Sequence, residues 1–254
     1  MEIDASKTVK EIAAGIPSSL SVFEALGIDY CCGGEKRLDE ACRAAGLQVE
    51  TVVQTLDAAA GAAQAGEETV DWKARSLASL MDHIVEKHHA FCRAEVSRIG
   101  PLVEKVVQAH GAAHPELRRI KSLFSELCQE LLMHLTKEEQ TLFPYISRME
   151  ALVTQGLSFP RPAFGTVQNP VRMMIMEHDH AGAALQEMRS LSTNYQLPPD
   201  ACNSYRALYD GLKSFERDMH QHVHLENNIL FPRAVTMEDA AVAGEHAVPH
   251  QAAR

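Results

Sequence analysis

Eleven residues, His134 to Pro144, read HLTKEEQTLFP, and they return 88 positions later as His222 to Pro232, HVHLENNILFP. The His, the Glu four residues on, and the closing Leu-Phe-Pro are identical in the two copies. Residues i and i+4 share a face of an α-helix. Each copy therefore sets an imidazole beside a carboxylate, one turn apart. One His-x-x-x-Glu is a common accident. Two in a single repeated frame point to a duplicated helical hairpin built around a divalent first-row metal, for which both side chains are natural ligands.

The hydrophobic pattern supplies the frame. From Ser76, a plausible N-cap, four long helices are expected. They run from about Leu77 to Ala109, Pro115 to Met149, Asn169 to Ser192, and from an Asp200 cap to about Met237. Pro160, Pro162 and two glycines break the chain between the second and third. Pro144 and Pro232 are expected to kink or end their helices near the preceding Phe. No run alternates as a strand would. The expected fold is all-α: a small N-terminal helical domain followed by an antiparallel four-helix bundle.

Candidate ligands are those on the apolar stripes, where a bare charge is costly. In the second helix Phe124, Leu127, Leu131, His134, Glu138 and Leu142 form the stripe. In the fourth, Leu208, Leu212, Phe215, Met219, His222, Glu226 and Leu230 do so. The first helix adds His89, on a stripe with Met81, Cys92 and Ile99. The third adds His178, with Val171, Met174, Ala181, Leu185 and Met188. His89 precedes His134 by 45 residues and His178 precedes His222 by 44, so each half contributes a His and then a His-x-x-x-Glu. Four His and two Glu exceed a tetrahedral zinc site and suit two six-coordinate ions bridged by both carboxylates. We expect two non-haem irons, with an oxo bridge in the oxidised state. Manganese and zinc are chemically compatible alternatives. The off-stripe His83, His88, His180, His220 and His224 are expected at the surface or beside ligands, and His110, His114, His246 and His250 in solvent. Glu130, one turn before His134, and Glu177, next to His178, are candidates for orienting a ligand or lining a polar route to the metals.

Residues 1–60 form a separate helical module, with apolar spacing in Val9, Ile12 and Ile16 and again in Leu20, Phe23 and Leu26. Asp29-Tyr30-Cys31-Cys32-Gly33-Gly34 interrupts it as a loop. Adjacent cysteines make a strained disulfide, so Cys31 and Cys32 are read as free thiols. Gly33 and Gly34 are expected to keep them accessible and to allow unusual backbone angles. A thiol pair of this kind suits iron, nitrosyl or cluster handling, or redox exchange; the bland alternative is a tight turn. A small polar linker is expected over 61–75, the bundle over 76–241, and a disordered tail over 242–254. The net charge of −10 argues against non-specific binding to nucleic acid or anionic membranes. No secretory leader or membrane span is expected, and six sparse Cys point to reduced thiols and a cytoplasmic setting. There is no conventional catalytic motif.

The duplicated His…His-x-x-x-Glu bundle resembles hemerythrin-like domains. With the Cys-Cys-Gly-Gly module, Glu177-His178-Asp179, and Leu225-Glu226-Asn227-Asn228 ahead of Leu230-Phe231-Pro232, nearly the whole chain is similar to the repair-of-iron-centres (RIC) family. That resemblance implies a di-iron centre held by His89, His134, Glu138, His178, His222 and Glu226, with Glu130 and Glu177 at positions proposed to line an iron route. It implies repair of iron-sulfur clusters damaged by nitrosative or oxidative stress, through labile iron and with damaged iron-sulfur proteins as transient partners. Binding or reduction of nitric oxide at the same irons is the first alternative, and an oxygen-binding or sensing module the second. A homodimer is a compatible assembly.

Overall fold

A computed structural model describes residues 3–63 and 70–247, the side chains of 62, 63 and 244–247 excepted. Every regular element among them is helical, and the sole β feature is an isolated bridge between Thr8 and Arg37. The N-terminal module holds α1 (Val9–Gly15), α2 (Ser19–Leu26), α3 (Leu38–Ala44) and α4 (Val49–Ala63). Thr8 and Glu11 close a reciprocal capping box on α1. Gly27 ends α2 in the left-handed conformation, φ 68°. Helix α4 runs three residues past the expected end of its apolar pattern; 64–69 lie outside the described residues.

Four rods follow. The first joins α5 (Leu77–His83) through a π turn, Ile84–His89, to α6 (Ala90–His110). The second joins α7 (Glu116–Lys137) through a π turn, Glu138–Leu142, to α8 (Phe143–Thr154). The third is α9 (Gln168–Leu191). The fourth joins α10 (Asn203–Leu225) through a π turn, Glu226–Leu230, to α11 (Phe231–Ala247). α6 packs on α7 and α10, and α9 on α7 and α10, which closes the bundle. The stripe residues of the second, third and fourth rods are buried without exception.

Several boundaries differ from expectation. Pro144 and Pro232 neither end nor break their rods. Each sits at the second residue of a new α-helix after a π turn, where the wider ring absorbs the missing N–H. Cys202, not Asp200, is the N-cap of α10, while Asp200 pairs with His114 at 3.0 Å. Ser76 caps α5 by accepting from the Ser79 N–H. The expected disordered tail is helical through Ala247, because Ala240, Ala241 and Ala243 extend a helix already nucleated at little cost. The remainder of the tail, with His250, lies outside the described residues, as does the His246 side chain.

The module docks on the bundle. His220 Nδ1 meets Glu24 at 2.7 Å, the Asn228 amide donates to the Tyr30 carbonyl at 2.9 Å, and α1 packs on the third π turn.

Candidate metal centre

The six stripe residues converge in the middle of the bundle, at the three π turns. His89 ends the first such turn, while Glu138 and Glu226 begin the second and third. A π turn widens the helix locally and is frequent at functional sites. Here it carries each Glu inward one turn after its His.

The ligand atoms fall into two groups, His89–Glu138–His222–Glu226 and His134–Glu138–His178–Glu226, with all atoms of a group within 4.8 Å of one another. Glu138 aims Oε2 at His89 Nε2 (3.5 Å) and Oε1 at His134 Nε2 (3.4 Å). Glu226 aims Oε1 at His222 Nε2 (3.0 Å) and Oε2 at His178 Nε2 (3.1 Å). Each carboxylate thus gives one oxygen to each group. The imidazoles of a group face each other nitrogen to nitrogen, His89 to His222 at 3.2 Å and His134 to His178 at 3.0 Å. Ligands at right angles around a first-row ion, with bonds of about 2.1 Å, lie roughly 3 Å apart, so the spacing fits.

The chemistry of the donors fits as well. Both carboxylates are fully buried, and among the described residues Glu138 Oε1, Glu138 Oε2 and Glu226 Oε2 lack a hydrogen-bond partner. Buried charge without compensation is costly, and a cation between the groups would remove the cost. In the polypeptide alone, protons partly take that role. Burial pushes His89 down, but the carboxylates of Glu138 and Glu226, which attract its proton, carry it up to about 10. Burial likewise opposes charge on His134, yet the negative charge of Glu138 raises it to about 9. Burial works against ionised Glu226, but His222 and its neighbours hold it well below the usual carboxylate range.

The outer ring nitrogens are held by residues that the stripes did not single out. His89 Nδ1 meets Glu139 at 2.7 Å, and Arg93 pins that carboxylate at 2.8 Å. His178 Nδ1 meets the Asn227 side-chain oxygen at 2.8 Å. Glu139 and Asn227 each follow a Glu of the repeat and share its 88-residue offset, which was the signal available in the sequence. Glu177 meets His134 Nδ1 at 2.8 Å and is itself paired with Lys137. Glu130 is exposed and makes no hydrogen bond or ion pair to any of the six among the described residues. His222 Nδ1 is buried without a hydrogen-bond partner among the described residues. The ring of His88 lies parallel to that of His222, 5.8 Å away.

The other histidines divide. His88 is buried beside the ligand His222, one of the two expected places, while His224 is buried and His220 is half-buried against Glu24. His110 and His114 are not free in solvent: both lie edge-on to Tyr205, and His110 Nε2 contacts Cys202 Sγ at 3.2 Å. His180 is exposed, as expected.

Asp29 organises the thiol loop. Its Oδ1 accepts from the N–H groups of Cys31 (2.9 Å) and Cys32 (3.1 Å), and Oδ2 accepts from Gly33 N–H (2.8 Å). Cys31 is buried and only Cys32 is partly open. The two sulfurs lie 3.8 Å apart, and the contact with Cys32 together with burial pushes the Cys31 thiol well up. Gly33 and Gly34 have no positive φ. They are needed for close approach, because a Cβ would lie 2.8 Å from Asp29 Oδ2 and 2.9 Å from the Tyr30 carbonyl, respectively. Cys32 Sγ reaches the His178 carbonyl at 3.5 Å. The pair therefore touches the backbone behind a ligand without joining either ligand group.

A helical bundle with two His/Glu groups sharing their carboxylates defines a cation-binding protein of the hemerythrin type, and residues 80–234 match the hemerythrin HHE cation binding domain. Residues 5–60 match ScdA_N, a domain of unknown function (DUF542). Over 232 residues the chain is 34% identical to a probable iron-sulfur cluster repair protein of Haemophilus influenzae, covering 91% of this chain and 97% of the relative. It is 32% identical to the iron-sulfur cluster repair protein YtfE of Yersinia pseudotuberculosis (92% and 98% covered) and to that of Citrobacter koseri (90% and 96%). The chain belongs to this family of iron-sulfur cluster repair proteins. Among the described residues, no helix is long and apolar enough to cross a membrane.

Proposed function

We propose that this chain holds two irons between the paired groups and gives iron up to damaged iron-sulfur clusters. His89 and His222 would hold one iron, His134 and His178 the other, with Glu138 and Glu226 bridging. The observation that carries the reading is the division of each buried carboxylate, one oxygen to each group. A mononuclear site would leave one oxygen of each Glu buried and unmatched. Iron is both the cargo and the counter-charge that lets these carboxylates stay buried.

The rest of the chain tunes how firmly that cargo is held. Glu139 and Asn227 fix the orientation of His89 and His178. Glu177 is partly exposed and holds His134 from the outside, so it supports the assignment of that flank as the way out for iron. Glu130, one turn before His134 on the second rod, reaches no ligand among the described residues and would act only after iron has left the core.

Two measurements test this. Metal analysis of the purified chain should give two irons, coupled in Mössbauer spectra, and Glu138→Ala or Glu226→Ala should lose most of both. Incubation of the loaded protein with a nitric-oxide-damaged [4Fe-4S] enzyme should restore its activity beyond the effect of equimolar free iron. Restoration equal to that of free iron would sink the repair role while leaving the metal assignment intact.

A further inference from the structure

We infer that a cleft between the N-terminal module and the bundle, beyond His88 as seen from the metal groups, binds a small planar aromatic carboxylate. The cleft measures about 690 Å³, within the range of small-molecule sites. It uses none of the six ligand residues.

Its lining combines flat groups with apolar side chains. Ala14, Pro17 and Leu20 contribute the apolar part. Trp72 and His83 contribute the flat part, their rings 4.4 Å apart and tilted by 37°. Such a lining takes an aromatic ring better than a branched or spherical ligand.

Its chemistry asks for an anion. Two imidazoles that are nearly fully buried, His88 (1% exposed) and His224 (2%), form part of its lining; the Nδ1 of His88 is already engaged by Asp218 at 3.0 Å, which leaves His224 as the imidazole that bears on a ligand. The Asn228 amide donates to His224 Nδ1 at 2.9 Å, so the ring proton sits on Nε2 and His224 is a donor. Lys73 and Lys87 also line the cleft, and neither forms an ion pair among the described residues. Asp71 is the sole carboxylate in the described lining, and the Lys73 backbone N–H already engages its Oδ1 at 3.0 Å. Two ammonium groups without an ion pair among the described residues stand out at this cleft in a chain of net charge −10. A carboxylate on an aromatic ring satisfies both features at once.

Trp72 is the only tryptophan in the chain, so its emission reports on this cleft alone. The iron-loaded full-length protein should be titrated with benzoate, benzamide and inorganic phosphate. Benzoate should change the emission saturably, and benzamide and phosphate should bind at least about tenfold more weakly, since each lacks half of the recognition. Lys73→Gln and Lys87→Gln should each weaken benzoate roughly three- to tenfold. Benzamide or phosphate matching benzoate, unchanged affinity in both lysine variants, or no saturable response to benzoate would each overturn the assignment.

Discussion

Glu177 and His88 hold the same place in the two halves, one residue before the imidazole of their rod, and act differently. Glu177 hydrogen-bonds His134. His88 only stacks on His222, whose outer nitrogen has no hydrogen-bond partner among the described residues. The two flanks of the centre are therefore held with unequal firmness, although the ligands themselves are duplicated. Glu177→Ala should lower iron affinity about 10- to 100-fold in a chelator competition, whereas Glu130→Ala should leave it unchanged. Equal losses in the two variants would show that the hydrogen bond to His134 is not what matters. A second residue-scale expectation concerns Cys202. The Tyr205 backbone N–H and then His110 lower its thiol to about 7, while burial lifts Cys128 to about 12. Thiolate is thus gained at Cys202 as pH rises through 7, two units earlier than for an ordinary thiol. Alkylation followed site by site in a mass spectrometer should show that midpoint, and His110→Ala should move it upward. A midpoint near 9 in the unaltered chain would refute the assignment.

At the scale of elements, the duplication extends further than the ligands. The Glu150 carboxylate, at the end of the second rod, accepts from the free N–H groups of Leu77 (2.6 Å) and Ala78 (2.9 Å) at the start of the first. Glu238, within α11 of the fourth, accepts from Val167 N–H at the start of the third, and Tyr145 and Thr166 donate to it as well. Glu150 and Glu238 are again 88 residues apart. Each half therefore ties its own hairpin shut with a carboxylate cap from the partner rod. Glu150→Ala should cost about 1–2 kcal/mol in denaturant unfolding. Glu238→Ala should cost more, about 2–3 kcal/mol, because it strands buried donors. The reverse order would contradict the burial argument. These caps were hidden in the sequence because a cap from another rod has no local spacing; only the 88-residue offset marks it. The stripes, by contrast, were legible, because a helix that buries one face must repeat its apolar residues.

For the whole molecule, the buried carboxylates link metal to stability. Iron that binds only the folded chain stabilises it by roughly 3 kcal/mol at a hundredfold excess over the dissociation constant. Stripping it should lower Tm by about 5–10 °C for a domain of this size, and added ferrous iron should restore it. A Tm indifferent to iron would place the metal elsewhere. The arrangement of the bundle, the convergence of six side chains and the separate N-terminal module could all be read from spacing and punctuation. The docking of Tyr30, Glu24 and Cys32 on the fourth and third rods could not, since contacts between surfaces distant in the chain leave no periodic trace. Neither could the π turns, whose residues are ordinary helix formers. Those turns carry a consequence for how the chain tolerates change. A π turn takes up one residue more than the α-helical turn it replaces, so losing one, Thr141 for example, would let an ordinary α-helix form with nearly the same downstream phase. Phe143, Ile146 and Met149, now buried, would keep facing the core, while Glu138 would lose the widened ring that carries it between the two ligand groups. The deletion of a single codon at such a turn would therefore fall on the metal centre and spare the packing of the bundle.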